Sequence, residues 1–154
     1  MATVSAIPQG MHTVTPGLTM KGCAEAIELY KKAFGAEEMS RVLDPSGKLI
    51  WHAMLRIGDS PLFLNDENPA MGNTARPTKL WLYVDGVDSA FKRATSAGCK
   101  VLMPLADMFW GDRMGTVADK WGNEWSLAQH IKDMTPEEME KAKQAFIAEM
   151  SKKK

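Results

Sequence analysis

One histidine stands where chemistry would need it. His52 lies in the run from Ile50 to Ile57, whose apolar alternation predicts a strand. A two-residue turn at Gly58-Asp59 would fold that run onto the segment from Pro61 to Asn65. Such a hairpin sets Met54 opposite Phe63 and His52 opposite Asn65, on one face of a sheet. Glu124 and Ser126 share one face of a later strand. An imidazole and a carboxylate across a cavity are the parts of a general acid–base pair, or the beginning of a divalent-metal site. The plainer reading is a hydrogen-bonded pocket histidine, and it carries more weight. His12 and His130 fall near strand ends and are expected to be exposed. Asp107, Asp112 and Glu124 form a carboxylate cluster only if the intervening loop brings them together. Cys23 precedes a helix and Cys99 follows one, with no histidine nearby, so both read as reduced, buried structural thiols. No Gly-rich nucleotide loop follows a strand, and there is no serine nucleophile elbow.

A second group of residues suggests binding rather than catalysis. Alternation places Lys79, Trp81 and Tyr83 on one face of a strand and leaves Leu80, Leu82 and Val84 for a helix-packed face. Met54, Phe63, Trp81, Tyr83 and Trp110 would line an aromatic, sulfur-rich cavity, with Trp125 joining from a neighbouring layer. His52, Asn65, Lys79, Glu124 and Ser126 would supply its polar points. Apolar walls with a few directed polar groups are what a small-molecule site requires. The same aromatics would also serve to fill a closed barrel. Trp110 sits in Met108-Phe109-Trp110-Gly111, a loop costly to expose, and is expected to cap the cavity or pack on a second subunit. Asp112 and Arg113 are expected to fix that loop by a salt bridge or backbone bonds.

The elements that must position these residues repeat. Sliding Leu18–Ile27 forward by 64 residues brings it onto Leu82–Phe91, with Leu, Gly and Ala coincident. The chain reads as one domain over 1–154 with α+β architecture. Module one covers about 13–65, with strands at 13–20, 37–43, 50–57 and 61–65 and a helix at 24–34. A linker follows over 66–78. Module two covers about 79–130, with strands at 79–84, 100–105, 113–118 and 124–130 and a helix at 87–97. Each module is therefore βαβββ, and two such modules suggest a site where they meet. A C-terminal helix over about 135–152 begins with a Thr135/Glu138 capping box and Pro136 at its first position. Its apolar face, Met139, Ala142, Phe146 and Met150, calls for burial against the domain or a second subunit.

Composition excludes several classes. Lys and Arg together number 19 and so do Asp and Glu, so no net field recruits nucleic acid or an anionic membrane. The tail Lys152-Lys153-Lys154 reads as a solvated helix end. No apolar run is long enough to span a bilayer. Met1–Gly10 lacks a basic start and a long apolar stretch, so no signal peptide is expected and a cytoplasmic location with reduced thiols follows.

Particular motifs resemble a known family. Ala26-Ile27-Glu28-Leu29-Tyr30 with Phe34-Gly35-Ala36, His52–Ser60, Leu105–Arg113 and Trp125-Ser126-Leu127-Ala128 are similar to the vicinal oxygen chelate superfamily and, within it, to the PhnB-like branch. That group includes glyoxalase I, extradiol dioxygenases and bleomycin-resistance proteins. The resemblance implies a glyoxalase-like fold of tandem half-barrel modules with helices outside, a homodimer that sometimes exchanges modules, and, in its enzymes, a divalent metal on the first and last strands of each module. Matched to this chain, those ligand positions fall on Thr15, Phe63, Lys79 and Ser126. Two hydroxyls, an apolar ring and an ammonium do not make the usual His/Glu set. The expectation is therefore metal-free binding of a small, partly aromatic or apolar molecule, with no cofactor, nucleic acid or membrane partner. The alternative is a lyase, isomerase or dioxygenase-type enzyme built on an atypical divalent metal or acid–base work at His52 and Glu124.

Overall fold

A computed structural model describes residues 4–153; the first three residues and Lys154, the last of the basic tail, lie outside it. Its elements are β1 (Gly17–Met20), α1 (Cys23–Phe34), β2 (Glu37–Leu43), β3 (Ile50–Ile57), β4 (Ser60–Asp66), β5 (Lys79–Tyr83), α2 (Val87–Ser96), β6 (Lys100–Asp107), β7 (Asp112–Ala118), β8 (Glu124–His130) and α3 (Pro136–Lys152). They build two four-stranded sheets, ordered β1-β4-β3-β2 and β5-β8-β7-β6. In each, the first strand runs parallel to the last and the other pairings are antiparallel. The fold is thus the expected α+β arrangement of tandem βαβββ half-barrel modules with a C-terminal helix.

Local chemistry explains most boundaries. The first strand starts at Gly17 rather than Thr13, because Pro16 has no N–H to offer a ladder; its carbonyl still accepts from Phe63 N at 2.9 Å. The turn at Gly58-Asp59 is as tight as expected, with Ile57 opposite Ser60 and Met54 opposite Phe63. Gly58 has φ +58° with Asp59 at negative φ, the backbone of a type II′ turn. The linker holds one 3₁₀ turn, Pro69–Met71. β6 runs on to Asp107 and β7 starts at Asp112, which shortens the loop between them to 108–111.

Both helices begin the same way. Each follows a glycine at positive φ, Gly22 and Gly86, and has no cap of its own side chain. The neighbouring strand supplies it. Asp66 Oδ1 accepts from Gly22 N at 3.0 Å and Cys23 N at 2.8 Å. Gln129 Oε1 accepts from Gly86 N at 3.1 Å and Val87 N at 3.0 Å. These bonds satisfy the first orphan donors of each helix and tie it to its own sheet.

The modules join through their helices. Ala26, Ile27, Tyr30, Ala33 and Phe34 form one buried stripe of α1. Tyr30 and Phe34 pack on Trp125 of β8, with ring centroids 4.8 and 4.4 Å apart. Arg93 of α2 donates from Nε to the Ala33 carbonyl at 3.2 Å, across the end of α1. At the centre lies Asp119, in the β7–β8 turn. Its Oδ2 accepts from Tyr30 Oη at 2.6 Å, Trp125 Nε1 at 3.1 Å and Asn123 Nδ2 at 3.1 Å. Its Oδ1 accepts from the backbone of Trp121 and Asn123, both at 3.0 Å. Burial and the Asp119 carboxylate hold the Tyr30 phenol far above its ordinary pKa, so it remains a donor at every working pH.

Both cysteines are buried and unpaired. Burial, with Asp66 adding to it, pushes the Cys23 thiol up to about 12; burial, with Asp119 adding to it, pushes Cys99 up to about 11. Neither is a thiolate near neutrality. An aromatic disulfide reagent at pH 8 is expected to label neither thiol in the native protein within minutes, and both in denaturant. Rapid labelling of native protein would contradict this packing.

The C-terminal helix has the full capping box at Thr135 and Glu138. Its apolar face does not bury within the described residues: Met139, Phe146 and Met150 stay exposed, and Phe146 alone meets an aromatic, Phe109, at 5.3 Å. No described helix is long and apolar enough to cross a membrane.

Candidate functional site

The open face of the second sheet carries a hollow of about 320 Å³, lined by Lys79, Trp81, Leu102, Met103, Trp110, Met114, Thr116, Glu124 and Ser126. The ladder explains its shape. Trp81, Ser126, Thr116 and Met103 are successive cross-strand neighbours over β5, β8, β7 and β6. Small hydroxyl residues occupy the two central strands and large side chains the two outer ones, so the row is low in the middle and walled at its ends. On the floor, Thr116 Oγ1 and Ser126 Oγ share a hydrogen bond of 2.9 Å. Thr116 is 6% exposed and Ser126 fully buried behind it, so the Thr116 hydroxyl is the polar group nearest the open space, and its partner Ser126 can serve as donor or acceptor to it. At the rim, Lys79 Nζ and Glu124 Oε2 lie 3.3 Å apart and offset each other's charge.

The same row in module one is filled. Gly17, Phe63, Met54 and Ser40 are cross-strand neighbours over β1, β4, β3 and β2. Here the large residues are central, and His52 packs edge-on to Phe63 with centroids 4.7 Å apart. Five sequence-predicted site residues, Lys79, Trp81, Trp110, Glu124 and Ser126, are therefore brought together in one hollow. His52, Met54, Phe63 and Asn65 stand on the other sheet and line neither this hollow nor the larger cleft between the modules. Asn65 accepts from Thr19 Oγ1 at 3.1 Å and donates to the Asp66 carbonyl at 2.9 Å. His52 and Glu124 make no contact within the chain. Trp125 turns to the helix side, fully buried and away from this hollow, and instead borders the larger cleft between the modules, beside Trp81 and Tyr83. Leu102, Met103, Met114 and Thr116 are additional lining residues. Thr116 was open to the hairpin argument applied to His52, since β7 and β8 pair just as regularly.

A larger cleft, about 730 Å³, lies between the modules. Its walls are the chain before β1 (His12, Val14, Pro16), the β3–β4 turn and the stretch from Leu80 to Asp85, including Trp81 and Tyr83. Six consecutive residues from one strand and its continuation line it because β5 is an edge strand, with one side unpaired.

Three strand ends converge beside both cavities. Asp112 opens β7, is 3% exposed and faces His130 across the ladder. Its Oδ2 accepts from Tyr83 Oη at 2.8 Å and Trp110 Nε1 at 3.0 Å, and its Oδ1 lies 2.9 Å from His130 Nδ1. His130 Nε2 lies 2.9 Å from Asp133 Oδ1. Burial alone would raise the Asp112 carboxyl, but the bonds from His130, Tyr83 and Trp110 outweigh it and hold it below the ordinary range. The bonds to Asp112 and Asp133 raise His130 above its ordinary 6.5. Arg113 turns away, to Asp88 at 2.9 Å and Asp107 at 3.0 Å. The loop is thus fixed as expected, by the Asp112 side chain and backbone and by the Arg113–Asp107 ion pair across its base.

A pH dependence follows. Neutral imidazole has one N–H, and two carboxylates face the ring. Buried Asp112 keeps it; exposed Asp133 is released. Because the folded pKa is raised, this stabilisation is complete below the unfolded value near 6.5 and is lost as pH rises through the folded value. The thermal midpoint of wild type is expected to decline over that window, and His130→Gln to flatten the decline. An unchanged slope in the variant would rule the assignment out.

The metal-ligand positions implied by the resemblance are engaged otherwise. Lys79 is paired with Glu124 and Ser126 with Thr116, Phe63 is an apolar ring, and Thr15 precedes β1. Among the described residues no three His, Cys, Asp or Glu side chains are grouped to hold a metal ion. This donor set does not fit a divalent metal site.

Residues 11–127 match the model of the Glyoxalase/Bleomycin resistance protein/Dioxygenase superfamily. An uncharacterized protein of Mycobacterium bovis is 43% identical over 138 residues, covering 84% of this chain and 90% of that one. TioX from Micromonospora sp. ML1 superposes with a TM-score of 0.63 at 25% identity, covering 80% of this chain and 100% of that chain. A putative 3-demethylubiquinone-9 3-methyltransferase, a PhnB protein from Bacillus cereus, shares the fold at 20% identity with a TM-score of 0.60, covering 77% of this chain and 99% of that chain.

Proposed function

Since the chain belongs to the glyoxalase/bleomycin resistance protein/dioxygenase superfamily, we propose that it is a PhnB-like member that binds a small, partly aromatic or apolar molecule without a metal. The observation that carries this reading is the hollow of module two: indole and thioether walls above a hydroxyl pair, with a self-neutralised ion pair at the rim. A flat ligand would gain contact from Trp81 and Trp110 and a hydrogen bond from Thr116, which Ser126 backs.

The working form is a cytoplasmic homodimer. The two open faces have opposite relief, with Phe63 and Met54 raised where Ser126 and Thr116 are low. Module one of one copy set against module two of another would close the hollow and bring His52, Met54, Phe63 and Asn65 to it. The exposed apolar side chains of α3 add surface that a second subunit would cover.

The test has two parts. Untagged protein is incubated with Mn, Fe, Co, Ni and Zn, gel-filtered and analysed for metal by plasma mass spectrometry. Far less than one metal per chain is expected. The same protein is then titrated with 8-anilino-1-naphthalenesulfonate, a flat aromatic dye, with saturable binding expected. About one metal per chain, abolished by His52→Ala, would replace this reading with an enzyme built on His52 and Glu124.

A further inference from the structure

We infer that Asp112 is the positioning residue of both cavities: its one carboxylate holds Trp110, a wall of the module-two hollow, and Tyr83, a wall of the inter-module cleft. The functional meaning rests on the binding reading above; the positioning itself does not.

Tyr83 is 64% exposed, at the end of an edge strand. Its ring has a loose neighbour in Trp81, centroids 6.3 Å apart, and its hydroxyl donates to Asp112 at 2.8 Å, with the Trp81 indole nearby. Trp110 sits in a four-residue loop, touched edge-on by Phe109 at 5.1 Å, and its indole N–H has one partner, again Asp112. Neither side chain is set by packing alone. Each has rotamers that would swing it off its cavity, and fixing one costs side-chain entropy. A charge-assisted bond to a fixed acceptor offsets that cost.

Asp112 is such an acceptor. Its carbonyl accepts from Met108 N at 2.7 Å, closing the loop that carries Trp110. Gly111 completes the closure with φ +99°, and its carbonyl accepts from Ile131 N and Lys132 N at 2.9 and 3.0 Å. A Cβ at Gly111 would collide with the Lys132 carbonyl oxygen, so only glycine fits this closure. His130, directly opposite on β8, supplies the counter-charge that lets a nearly buried carboxylate stay ionised. With Tyr83 and Trp110 on the same oxygen, a change in one bond is felt by the other. The two cavities therefore share a wall support.

The readout is the Trp110 indole N–H, followed by ¹⁵N-edited NMR and assigned by its loss in Trp110→Phe. In wild type its exchange with solvent is expected to be slowed at least tenfold relative to a free indole. Tyr83→Phe removes the competing donor and is expected to move the Trp110 resonance downfield. Asp112→Asn keeps an acceptor oxygen and is expected to retain the protection. Asp112→Leu is expected to abolish it, with dye affinity falling about tenfold. Free-indole exchange in wild type would overturn the inference. A folded Asp112→Leu with an unmoved Trp110 resonance would overturn it as well. Absence of dye binding by wild type, with Trp110 protected, would sink the binding reading and leave the positioning intact.

Discussion

Asp119→Ala is expected to remove about 4–6 kcal/mol of stability. The side chain is buried and small, so lost packing is a minor part of the effect. The large part is what it leaves behind. Five donors converge on it: the Tyr30 hydroxyl, the Trp125 indole, the Asn123 amide and the backbone N–H groups of Trp121 and Asn123. Each buried donor left without a partner costs about 1–3 kcal/mol, and Asn123 Nδ2 alone has a second acceptor, Tyr30 Oη at 3.2 Å. Partial rescue by entering water brings the sum to the lower part of that range. Total stability for a domain of this size is about 5–15 kcal/mol, so the variant should be near unfolding. Tyr30→Phe deletes one donor and its charge-assisted bond together and should cost less, about 1.5–3 kcal/mol. Asp119→Asn retains one acceptor oxygen but turns an amide toward donors, and should fall between. Urea denaturation of the three variants gives the order directly. A change under about 1 kcal/mol for Asp119→Ala would show that the turn reorganises rather than holding the modules together.

Asp119 also shows where reading the chain stopped. The βαβββ repeat was legible because Gly22 and Gly86, with the apolar faces of α1 and α2, follow from local rules of periodicity and turn chemistry. The hairpin at Gly58-Asp59, and with it Met54 opposite Phe63, was legible for the same reason. What the repeat concealed is a slip of one residue. β1 pairs Gly17 with Phe63, a spacing of 46, whereas β5 pairs Trp81 with Ser126, a spacing of 45. The 64-residue slide that aligns the helices therefore sets Asp66 on His130, although Gln129 is its counterpart at the helix start. A carboxylate and an amide perform one task there, and their side-chain types do not announce it. The Tyr30–Asp119 bond spans 89 residues and two modules, so no local rule reaches it.

The candidate site was legible as a face and not as a volume. Alternation put Lys79, Trp81, Glu124 and Ser126 on one side of their sheet. It also put His52, Met54, Phe63 and Asn65 on one side of the other sheet. Whether the two faces enclose one space depends on how the modules pack, and in this chain α1 and α2 meet while the open faces do not. Relief mattered more than polarity: Ser126 and Thr116 make a floor because they are small, and Phe63 and Met54 occupy the corresponding ground in module one.

The double variant Trp81→Ala/Trp110→Ala is accordingly expected to weaken dye binding by about 100-fold, while stability changes by less than about 1.5 kcal/mol. Trp81 is 44% exposed on an edge strand and Trp110 lies in a loop, so neither supports the buried core. Each indole offers a broad face, and losing one such contact costs a ligand about 1–1.5 kcal/mol, or roughly tenfold in affinity. The walls stand at separate points of the rim, so their losses should add to within a few tenths of a kcal/mol. Phe146→Ala, on the exposed face of α3, is the control, because an apolar dye adsorbing to any exposed stripe would respond to it. Wild-type affinity in the double variant, or an equal loss in Phe146→Ala, would mean that the dye reports surface hydrophobicity and that the hollow is not the site. Ser126→Ala separates the floor from the walls. It removes one hydroxyl of the Thr116 pair, leaves the hollow open and should cost an apolar dye almost nothing. A ligand that hydrogen-bonds to the floor should lose about 1 kcal/mol, roughly fivefold. Comparing the two kinds of ligand on the same two variants distinguishes a pocket that selects by shape from one that reads a polar group.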